Sequence, residues 1–191
     1  MATTSIHSPI PANFIAGPLA VTLEQLHHDK FQIIMEVIGK PTINPLLFYS
    51  GKISGYIVWI LFLFSIFKVD FLPEMIHLNL NYLSYFLLIV GLFFSIASLF
   101  KLGRSTRFGI PTTKTSLKTS GIYGFSRNPI YFGFNLITIS AIVYLPNLLI
   151  LFLGIYSMIV YHLIIIGEEK FLEKAFGEDY KRYKRKVRRY I

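Results

Sequence analysis

The chain has 191 residues, 53% of them hydrophobic and only 15% charged, with a mean hydropathy of +0.55 and a formal net charge of +9. A soluble domain is about 45 to 50% apolar and about 25% charged, so the composition excludes an ordinary soluble protein and predicts a single integral membrane unit. The absence of cysteine excludes disulfides, thiolate metal sites and a cysteine nucleophile, and the basic residues flank apolar runs without any nucleic-acid motif, so a membrane surface and not nucleic acid is the expected partner.

Residues 1–15 lack the charged start and apolar core of a secretory signal and are expected to form a loose tail. Residues 19–38, "LAVTLEQLHHDKFQIIMEVI", carry apolar side chains at helical spacing but also Glu24, His27, His28, Asp29, Lys30 and Glu36. Central charges cost about 2.5 to 3.5 kcal/mol each in a span, so the segment is expected to lie in the interface. Pro41 and Pro45 precede a first span at 46–67, in which Lys52 must snorkel or face the bundle. Its "GKISG" fits a Gly-x-x-x-Gly contact, but two glycines at that spacing also arise by chance, and no close helix approach is inferred from Gly51 and Gly55.

A link containing Pro73 leads to a second span at 82–100. Residues 101–128 form a polar loop with six cations (Lys101, Arg104, Arg107, Lys114, Lys118, Arg127) and no acid. A third span starts at Pro129 and runs to about Tyr144. The turn at Leu145–Asn147 is so short that a fourth span, 148–166, must return antiparallel as a hairpin. The tail, "GEEKFLEKAFGEDYKRYKRKVRRYI", is charged and helical in pattern, with a break expected at Gly177. The expected fold class is an all-α integral membrane protein of four transmembrane helices, five if 19–38 also spans. It would form a single domain over 1–191: a tail and amphipathic helix at 1–44, two spans at 45–100, and the loop, hairpin and tail at 101–191. Four spans gather nearly all the cations on one side, with Lys68 across the membrane, and the positive-inside bias makes that side cytoplasmic.

The stretch "GIYGFSRNPIYFG" (121–133) places turn-forming chemistry where an apolar helix begins. Asn128 is expected to cap the third helix by accepting from its free amides, with Pro129 at the first helical position. Those amides make a ready anion site, and Arg127 beside them suits a carboxylate or phosphate. An ordinary cap with a membrane-edge arginine would look the same in sequence. At the end of the fourth span, Glu168 and Glu169 return to the level of Asn128, and a carboxylate there suits ribose hydroxyls. A solvated acidic helix end, with Glu169 and Glu173 facing lysines, is the plainer alternative. His162 is ionisable within the membrane and is expected to be a hydrogen-bonded structural histidine.

"LKTSGIYGFSRNPIYFGF" (Leu117–Phe134), the helical hairpin and the ending "GEEKFLEKAFGEDYKRYKRKVRRYI" together resemble the isoprenylcysteine carboxyl methyltransferases and their relatives, which include phospholipid N-methyltransferases. The resemblance covers about the C-terminal half. It implies an enzyme using S-adenosylmethionine and releasing S-adenosylhomocysteine, with no metal. Carried over by position, the cofactor contacts are Thr115, Ser116, Leu117, Lys118, Tyr123, Asn128, Pro129, Ile130, Tyr131 and Glu168, and the catalytic candidates are Arg127, Asn128 and Tyr131. The chain departs from the family at Asn128, where most relatives have histidine, and at Ile164, where the isoprenylcysteine enzymes have an arginine associated with substrate. Asparagine cannot carry a proton, which favours a lipophilic carboxylate acceptor entering from the bilayer over an amine that must first be deprotonated. A phospholipid N-methyltransferase, a sterol-reductase-like enzyme with a nicotinamide cofactor, and a scaffold whose basic loops bind anionic lipid are the competing readings.

Overall fold

The computed structural model describes residues 41–69, 72, 80–102 and 117–191. The amphipathic segment expected at 19–38, Thr115 and Ser116 lie outside them. Helix α1 spans Pro45–Ile66, α2 Asn81–Leu102, the short α3 Ile122–Phe125, α4 Pro129–Tyr144 and α5 Leu148–Lys186. Helices α1, α2 and the first part of α5 are long and apolar enough to cross a membrane. The first, second and fourth spans predicted from sequence start within two residues of them, the third falls on the shorter apolar helix α4, and the chain is an all-α integral membrane protein. Rings and aliphatic chains such as Phe86, Ile89, Phe93 and Phe152 are exposed on the outside, as a lipid-facing surface requires.

Helix α4 has only 16 residues, about 24 Å at 1.5 Å per residue, and is shorter than the ~30 Å hydrocarbon core. It is the central helix, packed against α2, α5 and α1. Small residues make its contact with α2 close. Ser84, Gly91, Ser95 and Ser98 are the buried face of α2, and Ser84 and Ser140 exchange hydroxyl-to-carbonyl hydrogen bonds of 2.9 and 2.7 Å. In lipid, close van der Waals packing and such bonds replace the hydrophobic drive between helices.

The same logic corrects the reading of "GKISG" as accidental. A Cβ at Gly51 would collide with the Val160 side chain, and one at Gly55 would lie 2.6 Å from the Tyr161 hydroxyl. Both glycines are therefore contact positions between α1 and α5. Lys52, between them, is 8% exposed and turned inward, with its ammonium 3.9 Å from the Phe48 ring centroid. Of the two options left open for it, snorkelling or facing the bundle, the second holds.

The turn at Leu145–Asn147 closes the α4–α5 hairpin as expected, with Asn147 accepting from the Leu149 amide at 2.9 Å. The expected break at Gly177 is present: its φ of +53° interrupts α5, a left-handed conformation that glycine adopts without steric cost. Beyond it the chain doubles back, since Lys184 meets Glu173 and Arg189 meets Glu169.

Gly133 is a position of close backbone approach, because a Cβ there would collide with Ser95 Oγ and lie 2.6 Å from the Gly91 carbonyl and 2.8 Å from the Ser95 amide. Gly133→Ala is expected to cost about 1 to 3 kcal/mol by overpacking. Gly124→Ala, whose Cβ would meet only the Thr119 carbonyl at 3.6 Å, should leave stability unchanged. Thermal unfolding of both variants in detergent checks the difference.

Candidate active site

Three helices open after an asparagine, and two of those asparagines behave as caps: Asn44 accepts from the Leu46 amide and Asn147 from the Leu149 amide, both at 2.9 Å. Asn128 does not. Its side chain makes no cap bond, and Nδ2 instead donates to Glu169 Oε1 at 3.0 Å and to the Arg189 carbonyl at 3.2 Å. This overturns the expectation that Asn128 caps α4. The physical cause is the Glu169 carboxylate, which is 4% exposed and demands donors that a buried charge cannot obtain from water.

Glu169 gathers them from three places. Arg127 donates to Oε1 through Nε at 3.2 Å and Nη2 at 3.0 Å. Arg189 donates to Oε2 at 3.2 and 2.9 Å. The plainer sequence alternative, in which Glu169 faced a lysine, is wrong in its partner. Glu173 does pair with a lysine, Lys184, at 3.0 Å. The remaining Arg127 nitrogen, Nη1, donates to the carbonyls of Val187 (2.7 Å) and Lys184 (3.1 Å), and the Arg127 amide donates to the Arg188 carbonyl at 3.0 Å. The Ser126 hydroxyl adds a bond to the Arg189 carbonyl at 3.3 Å. The Ser-Arg-Asn stretch is thus a receptor for the chain's own C-terminal segment.

Glu168, the next residue, points elsewhere because successive helical side chains diverge by about 100°. Its Oε1 accepts from the Tyr131 hydroxyl at 2.8 Å, and the Lys52 ammonium is near enough to attract its charge. Tyr123 lies close enough to feel the same carboxylate. Burial pushes the Tyr123 phenol's pKa up, and the neighbouring Tyr183 phenol and Glu168 push it further. The Tyr183 hydroxyl donates to the Tyr123 carbonyl at 2.6 Å, tying α3 to the returning tail. Around Tyr131 stand the rings of Phe134 and Tyr161.

Of the residues singled out in the sequence, the structure brings together Tyr123, Arg127, Asn128, Pro129, Tyr131 and Glu168 at one end of the α4–α5 hairpin. Pro129 is buried at the start of α4, and Ile130 packs against the core cluster of Phe48, Tyr131 and Ile164. Leu117 and Lys118 are half-buried ahead of α3. His162 is hydrogen-bonded as expected, its Nδ1 lying 2.8 Å from the Tyr190 hydroxyl. Sequence reasoning missed Lys52 and Arg189 as members of the cluster, and it brought Glu169 to the level of Asn128 without its arginine partners. A charge inside an apolar span was the available signal for Lys52. No signal of comparable strength marked Arg189 within a run of cations. Among the described residues no group of His, Cys, Asp and Glu could hold a metal ion.

Removing one member of a buried ion pair leaves an uncompensated charge, at a cost of about 3 kcal/mol or more. Glu169→Gln and Arg127→Ala are both expected to lower stability on that scale, and Arg127→Lys, which keeps the charge but loses the fork, to fall between. Glu178→Gln, which removes only an exposed pair with Lys181, should leave the melting temperature unchanged. Thermal denaturation in detergent across the set measures this.

The family model described as phospholipid methyltransferase matches residues 79–179, more than half of the chain. The match runs from just before α2 to just past Gly177 and so contains the Ser-Arg-Asn stretch, the hairpin and both glutamates, while the tail from Tyr180 onward lies outside it. No curated protein and no solved structure matches the chain. The helical membrane bundle, the clustered hairpin end and this match agree, and the chain belongs to the phospholipid methyltransferase family.

Proposed function

We propose that the protein transfers a methyl group from S-adenosylmethionine to the carboxylate of a lipid-tailed acceptor, such as a prenylated cysteine, at the cytoplasmic edge of the bilayer. The observation that carries the reading is the engagement of Asn128 with Glu169. It leaves the opening of α4 without a side-chain cap, so the Ile130 and Tyr131 amides, Pro129 having none, are the ones an anionic group would meet. It also leaves no proton acceptor at that position, since an amide cannot titrate.

Other residues fit the cofactor. Glu168, oriented by Tyr131, offers a carboxylate to ribose hydroxyls or an ammonium, and Tyr123 is close enough to feel the same carboxylate. In this reading Thr115, Ser116, Leu117, Lys118, Tyr123, Asn128, Pro129, Ile130, Tyr131 and Glu168 hold the cofactor. Arg127 and Asn128 tie the tail beside it. The cofactor supplies a sulfonium-bound methyl that is already activated for attack. The protein supplies alignment, for which up to ~7 to 11 kcal/mol is available, and exclusion of water.

Carboxylate methylation at neutral pH requires no proton removal, because a carboxyl of pKa about 3.5 is already ionised. The oxygen–methyl bond forms as the sulfur–methyl bond breaks, giving an ester and S-adenosylhomocysteine. Ile164 is fully buried in the core cluster and provides no charge for an anionic acceptor, but Lys52, stacked on Phe48 in the same cluster, does. The gathering of cations at the loop and tail supports a cytoplasmic site.

One observation favours a second reading, phospholipid N-methylation: Glu168 is a carboxylate placed to take the proton that an ammonium acceptor must lose. Methyl-labelled S-adenosylmethionine separates the two. An ester releases labelled methanol in mild base, which the first reading predicts with lipophilic acids. Base-stable label in phosphatidylethanolamine derivatives, with the acids unlabelled, would overturn it. Under either reading Glu168→Gln should weaken cofactor binding at least tenfold, about 1.4 kcal/mol, as measured by calorimetry.

A further inference from the structure

The segment after Gly177 returns toward the membrane. As the chain advances from Lys184 to Arg189 to Tyr190, its partners on α5 move backward from Glu173 to Glu169 to His162. The apolar run of α5 ends at Ile166. Glu169 and Glu173 are therefore about 4 to 10 Å beyond it along the helix, a depth that overlaps the headgroup layer of about 5 to 7 Å on each side of the hydrocarbon. Tyr190, beside His162, is level with the last turn and a half of the apolar run, where tyrosine's apolar ring and polar tip suit the boundary.

The charge of this returning segment is sorted by face. Tyr180 and Tyr183 are buried against the rest of the protein. Arg182, Arg185, Lys186 and Arg188 are exposed, and none forms a salt bridge among the described residues. The acids of the segment, Glu178 and Asp179, stand at its far start, and Glu178 is paired with Lys181 at 2.7 Å.

We propose that this outer face, centred on Arg182, Arg185 and Arg188, docks on the anionic phospholipid headgroups of the leaflet that the protein spans. A polybasic segment held at headgroup depth is attracted by a negative leaflet. Its position directly beside a span, with its end beside the apolar run, favours a lipid surface over a nucleic acid or an acidic protein. The guanidinium forks suit phosphate oxygens, and Arg189, which is tied to Glu169, is not part of the face.

The test is amide hydrogen exchange of the full chain in nanodiscs of phosphatidylcholine alone and in discs with a third of the lipid replaced by phosphatidylglycerol. Exchange in peptides covering 178–191 should slow several-fold in the anionic discs and revert in raised salt. The triple variant Arg182→Gln, Arg185→Gln, Arg188→Gln should lose the difference. Removing the same charge elsewhere, with Arg104→Gln, Arg107→Gln and Lys114→Gln, should keep it. Unchanged exchange of the apolar part of α5 shows that the variants remain folded. Equal exchange of 178–191 in the two discs, or equal loss in both triple variants, would overturn the proposal.

Discussion

A carboxylate withdrawn from water has to be met by donors, and Glu169 recruits them from segments far apart in sequence. Arg127 and Asn128 come from the approach to α4, and Arg189 comes from the returning tail. Each guanidinium brings its own backbone along, so one buried charge fixes where the loop ends, where α4 starts and where the C-terminal segment lies. Two arginines on one carboxylate leave the cluster with a positive balance. That is tolerable at the membrane edge, where anionic groups are available, and costly deeper in the hydrocarbon.

The same constraint divides labour between neighbouring glutamates. Because adjacent helical positions diverge, satisfying Glu169 with arginines turns Glu168 toward Tyr131 and Lys52, away from the structural knot. Asn128, drawn into that knot, gives up its capping bond. The start of α4 is left without a side-chain cap, one turn from the Glu168 carboxylate that Tyr131 holds. The arginine-bound and the tyrosine-bound carboxylate are thus adjacent residues of one helix, which explains how a motif can look like a simple helix start and still hold the chain's tail.

Much of the bundle was legible because the signals were local. Apolar length marked the spans, Pro129 the start of α4, and Leu145–Asn147 the hairpin. The misreadings share a cause. Asn128 has the local signature of a cap, and only a partner 41 residues away reassigns it. Gly51 and Gly55 were ambiguous because a contact glycine is defined by what lies opposite, here Val160 and Tyr161. Lys52 announced itself as a charge in a span, but its proximity to Glu168 depends on how α1 packs on α5. Arg189 was hidden among like residues, since nothing within the run separates a buried partner from exposed cations. The candidate site was therefore readable as a region, whereas the contacts within it required three dimensions.

The central claim is that this knot frames a pocket for S-adenosylmethionine, and ligand-dependent thermal stability of the purified protein tests it most directly. A ligand that binds only the folded state at about a hundredfold excess over its Kd stabilises by about 2.7 kcal/mol. S-adenosylhomocysteine is expected to raise the melting temperature by several degrees while NADPH leaves it unmoved. A melting temperature indifferent to S-adenosylhomocysteine, or raised by NADPH instead, would contradict the account.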